Sequence, residues 1–158
     1  MKPEKKNFQI TFPLFVIFAA MIAANGLSAQ TVIGKWKTID DETNREKSIV
    51  EIYKGEDGKI YGKVVELFRL PDEDQDPKCD ECDEDDPRYN QRVKGMVILE
   101  GLVADEDNAK KWEDGEILDP KNGNVYSCYI ELVSDKKLKV RGFLGFSLLG
   151  RTQYWYRQ

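Results

Sequence analysis

The chain has 158 residues, about one domain of material, with a formal charge of −5, three cysteines and no histidine. The missing histidine excludes Ser-His-Asp and Cys-His nucleophile systems, histidine-ligated zinc and an imidazole pH switch. The acidic balance argues against a nucleic-acid partner, because phosphate binding needs a basic surface.

Residues 1–29 read as a secretory signal. Lys2, Lys5 and Lys6 precede an uncharged, mostly apolar run from Ile10 to Ala24, and Ser28 and Ala29 are small residues suited to cleavage. The run falls short of the about 20 apolar residues of a bilayer span and contains Thr11 and Pro13, so no stable membrane anchor is expected after cleavage. The expectation is a periplasmic or secreted protein whose residues 30–158 form a single domain.

Residues 32–40 alternate: Val32, Gly34, Trp36 and Thr38 share one face, Lys35 and Lys37 the other, the period of a half-buried strand. A second strand at 48–54 is rich in Ile, Val and Tyr, and Gly55-Glu56-Asp57-Gly58 turns it into a third at 59–68. The pattern then breaks. Residues 71–87 hold ten acidic residues and one lysine, which reads as a solvated loop unable to bury apolar surface.

Residues 95–103 form a fourth strand. A polar connection at 105–114, with one helical turn around 109–112, leads to a short strand at 115–118. Asp119-Pro120-Lys121-Asn122-Gly123 is a strong turn signal. Strands at 124–133, 137–144 and 151–157 complete the chain. About eight close-spaced antiparallel strands and no crossover helix indicate an all-β closed meander or sandwich.

The tripeptide Gly34-Lys35-Trp36 resembles the Gly-x-Trp opening of lipocalins and the wider calycin barrels. More specifically, GKWKTIDDET, IYGKVVEL, GMVILEGL, WEDGEILDPKNGNVYSCYIEL and LKVRGFLGFSLLGRTQYWYR are similar to the bacterial family DUF2147, from about Gly34 to Arg157. That resemblance implies a small exported up-and-down β-barrel of about eight strands. It carries no established activity, so no catalytic residue transfers. The lipocalin likeness implies that Trp36 closes one barrel end under an arginine of the last strand, Arg157, or Arg151 in another register. A guanidinium over an indole contributes ~0.5–2 kcal/mol.

Four constellations are candidates for chemistry. Cys79-Asp80-Glu81-Cys82 has redox-pair spacing, but export favours a disulfide, and the surrounding carboxylates would raise a thiol pKa rather than activate it. Cys128, beside Tyr126, Ile130 and Leu132 on one strand face, reads as a small buried hydrophobe. Asp72, Asp74, Asp76 and Asp83 are spaced like calcium ligands, but Pro77 at the sixth position and Asp83 at the twelfth make a poor EF-hand; the expectation is a solvated spacer with no cofactor, and the alternative is a weakly bound calcium ion.

Among charges within apolar strands, Glu51, Glu66, Glu100 and Arg141 belong either on a solvent face or in a buried pair; Arg141, next to Gly142, is the candidate interior anchor. The aromatics either fill a barrel or line a pocket. The candidate ligand-binding set is therefore Trp36, Glu51, Tyr126, Arg141 and Trp155.

Three functions follow from these features. The first is a non-enzymatic binding module for a small apolar or amphipathic ligand. The second is an envelope interaction or structural protein whose acidic loop binds a basic partner or divalent cations. The third is a carboxylate-based enzyme, for which no pair of acids is singled out.

Overall fold

The computed structural model describes residues 31–158; the leader read at 1–29 lies outside the described residues. Eight strands follow in order: β1 (Gly34–Ile39), β2 (Glu46–Lys54), β3 (Ile60–Leu67), β4 (Val97–Ala104), β5 (Lys111–Asp119), β6 (Asn124–Ser134), β7 (Lys137–Phe143) and β8 (Gly150–Arg157). Each pairs with the next, and β8 returns antiparallel to β1, Trp36 facing Arg157 across the seam. The result is the expected all-β, eight-stranded antiparallel up-and-down barrel.

Period-two alternation sorts the side chains. Trp36, Val50, Ile52, Ile130, Leu138 and Trp155 are buried on the inner face. Lys35, Lys37, Lys137 and Lys139 alternate with the inner residues of β1 and β7 and lie on the outer face. Each large apolar side chain taken out of water stabilises by roughly 1.5–3 kcal/mol, and closure leaves no unpaired strand edge.

Two expectations are corrected. The helical turn around residues 109–112 is absent: β5 begins at Lys111, with Trp112 paired to Ala104 on one side and Ile130 on the other. A bulge between Trp112 and Gly115, with Asp114 at a φ of 58°, inserts an extra residue against β6. That insertion scrambles the alternation by which a strand is read.

The acidic stretch, residues 71–87, does not hang free in solvent. Cys79 and Cys82 form a disulfide, and both are buried in the core cluster together with Val93 and Met96. The amide of Cys79 donates to the Gln91 carbonyl and that of Val93 to the Pro77 carbonyl, both at 2.9 Å, so the segment folds back on itself as a lid. Arg88 pairs with Asp86 at 2.6 Å and Glu100 at 2.8 Å, tying the lid to β4. Most of the carboxylates still face water. The average acidity of the stretch concealed the few apolar residues by which it docks.

Candidate functional site

In an up-and-down barrel the β1–β2, β3–β4, β5–β6 and β7–β8 connections share one end. The other end is closed. There Trp36 is wholly buried, its Nε1 donates to the Val32 carbonyl at 2.7 Å, and the Arg157 guanidinium lies 4.2 Å from the indole centroid. Arg157 also donates to the carbonyls of Thr31 (2.6 Å), Ile33 (3.0 Å) and Asp135 (2.6 Å), binding the segment before β1 and the β6–β7 turn together. Arg151 sits at the opposite end and pairs with Asp41.

The end that carries the β1–β2, β3–β4, β5–β6 and β7–β8 connections holds a cavity of about 480 Å³. Its walls include Val64, Ile98, Ile117, Leu118, Val140 and Trp155, so its body is apolar. On its lining, Thr38 and Ser48 share a hydrogen bond of 2.8 Å between their hydroxyls, and both are buried. These two hydroxyls face each other because Thr38 and Ser48 are register partners on β1 and β2. Trp155 is 1% exposed, and its Nε1 has no hydrogen-bond partner among the described residues.

Around the mouth stand Lys47, Arg69, Lys78, Lys121 and Arg151, against Asp80 and Asp119. Arg151 is engaged with Asp41, whose carboxyl is held below its usual range by the Arg151 hydrogen bond. Arg69 pairs with Glu73 at 3.5 Å. Lys47, Lys78 and Lys121 make no ion pair among the described residues. An acidic chain thus presents three uncommitted cations at the mouth of an apolar cavity.

Of the expected ligand-binding residues, Tyr126 and Trp155 line this cavity. The other three do not. Trp36 is in the closed end. Glu51 is on the outer face between Lys35 and Lys63, because inward Val50 and Ile52 flank it. Arg141 also points outward, donating to Thr152 Oγ1 at 2.8 Å, Ser147 O at 2.6 Å and Leu148 O at 3.2 Å. Strand parity decides both cases: Leu138 and Val140 face inward, so Arg141 cannot.

The four acids spaced like calcium ligands are engaged separately. Asp74 Oδ1 accepts from the Asp76 amide and Asp83 Oδ1 from the Asp85 amide, while Asp76 pairs with Arg92 at 3.0 Å. Among the described residues no three acidic or cysteine side chains come together as a metal site. Cys128 is buried and free, and burial pushes its thiol up to about 12, far from the thiolate that reactivity requires.

Sequence reasoning missed Thr38 and Ser48 as a pair and the three lysines as a group. The inward face of Thr38 was legible from the alternation of the first strand. Nothing local announces that Lys78 in the lid and Lys121 in a turn meet across the mouth.

Residues 34–157 match the model of a family described as uncharacterized protein conserved in bacteria, DUF2147. The chain belongs to the DUF2147 family. Among solved structures, this DUF2147 chain is similar to protein HP1028 of the human pathogen Helicobacter pylori, which is described as belonging to the lipocalin family. The TM-score is 0.66 at 20% identity, covering 81% of this chain and 83% of that one. At that identity the likeness shows the shared barrel fold alone. Among curated proteins none matches the chain.

Proposed function

We propose that this DUF2147 chain is an exported, non-enzymatic binding module that takes a small amphipathic molecule into the open end of its barrel. The observation that carries the reading is the apolar cavity of about 480 Å³ with uncommitted Lys47, Lys78 and Lys121 at its mouth. An apolar body with a few polar groups at one end is the usual form of a small-molecule site. The lysines would face an anionic head. The apolar tail would lie against Val64, Ile117 and Val140, and an oxygen of the ligand could accept from the unpartnered Trp155 N–H. The acidic stretch enters this reading as wall rather than bait, since Pro77, Lys78 and Asp80 line the cavity. Export would fit the disulfide at Cys79 and Cys82.

Calorimetric titration with decanoate and, in parallel, with the uncharged decanol tests the reading. Decanoate should bind more tightly, and the triple variant Lys47→Gln, Lys78→Gln, Lys121→Gln should erase the difference without lowering Tm. No heat with either probe would remove the cavity as a ligand site.

A further inference from the structure

Thr38 and Ser48 belong to a longer polar row on the inner wall. They are register partners on β1 and β2. On the other side of β1, Trp36 faces Arg157 and Lys37 faces Tyr156, and the same register carried one residue further sets Trp155 opposite Thr38. Ser48, Thr38 and Trp155 therefore stand side by side on three adjoining strands, all buried and all lining the cavity. Their surroundings are apolar. Trp36 and Val50 form the next inward pair toward the closed end, and Leu67 and Leu138 flank the row as the partners of Ser48 and Trp155.

The row holds more donors than it uses. Two hydroxyls carry two protons between them, and the 2.8 Å hydrogen bond joining Thr38 to Ser48 consumes one. Neither hydroxyl makes another hydrogen bond among the described residues, so one O–H stays unspent. The Trp155 N–H on the adjoining strand is unspent as well. A buried donor without an acceptor keeps the full cost of leaving water. Two such donors at neighbouring positions of one cavity wall call for an oxygen that arrives with the ligand.

That oxygen is uncharged. Trp36, Val50, Leu67 and Leu138 offer it no cation, and a buried charge without a partner is costly. Gln153 and Arg151, the next inward residues on β8, are both engaged with Asp41. The uncommitted cations stand at the mouth, as Lys47, Lys78 and Lys121.

We infer that the cavity recognises an oxygenated acyl chain, its anionic head at the lysines and a ketone or ester oxygen along the chain held by Trp155 and the Thr38–Ser48 pair. This rests on the cavity reading and narrows it, because a plain fatty acid leaves both donors unmet. A chain oxygen is a handicap against a wholly apolar wall and an advantage only where donors await it.

Calorimetric titration compares decanoate with a set of oxodecanoates bearing the ketone near the head, in mid-chain and near the tail. At least one oxodecanoate should bind ten-fold or more tightly than decanoate. Thr38→Val with Ser48→Ala should bring that ratio to one or below, and Trp155→Phe should lower it separately. The ratio is taken within each variant, so a change of cavity shape felt by both acids cancels. The Trp155 indole N–H resonance, assigned by its loss in Trp155→Phe, should move downfield with the tighter oxodecanoate and less with decanoate.

Decanoate that binds at least as tightly as every oxodecanoate overturns the inference and leaves the cavity reading standing, with the row holding water only. A preference that survives both the hydroxyl double variant and Trp155→Phe overturns it too. No heat with any of these acids removes the inference and the cavity reading together.

Discussion

Trp36 shows how much one side chain carries at the closed end. It is wholly buried, bonded through its N–H to Val32, and covered by an arginine that itself binds three carbonyls. Truncation would leave a cavity, strand the Val32 carbonyl and uncover Arg157. Large-to-small changes of this kind cost ~3–5 kcal/mol. Trp36→Ala should therefore lower the denaturant midpoint steeply, and an unchanged midpoint would contradict the packing described. Trp36 was legible because Val32, Gly34 and Thr38 share its parity. Glu51 and Arg141 were not: apolar neighbours on both sides give no sign of which face is inner, and a shift of one residue reverses the answer.

Among the elements, the lid departs furthest from its composition. It docks where the β5–β6 turn offers Gly123, at a φ of 69° and with the Glu81 carbonyl so close that a methyl group would overlap it. Gly123→Ala combines that clash with roughly 1–2 kcal/mol of left-handed backbone strain. The lid amides of Cys79, Asn90 and Val93 should then lose hydrogen-exchange protection while those of β2 and β6 keep theirs. Equal loss throughout the barrel would mean that the lid and barrel unfold as one unit. The strand β5 was legible only from Gly115 onward, since the bulge before it interrupts the period.

At the scale of the whole molecule, acid should loosen both ends of the barrel and the lid together. Hydrogen bonds from Arg151 to Asp41, from Arg88 to Asp86 and from Lys111 to Asp105 hold these carboxyls below their usual range. A carboxyl with a lowered folded value stabilises fully above its ordinary pKa of about 4 and loses that contribution as pH falls through the lowered value. Melting temperature should accordingly hold above about pH 4 and fall below it, with no imidazole step near pH 6.5. A Tm that rises on acidification from pH 4 to pH 2 would contradict these pairings.

The strand series, the inward set led by Trp36 and Trp155, the hairpin turns and the local disulfide follow from the sequence by itself. Alternation and turn chemistry are properties of neighbours along the chain, and the disulfide follows from two nearby cysteines in a chain whose leader reads as an export signal. Only the tertiary structure decided where the lid sits, that Lys47, Lys78 and Lys121 share one mouth, and that Arg151 meets Asp41 rather than Trp36. Those facts depend on closing one sheet around a common axis, which brings together residues up to 126 positions apart. No local period encodes such a meeting.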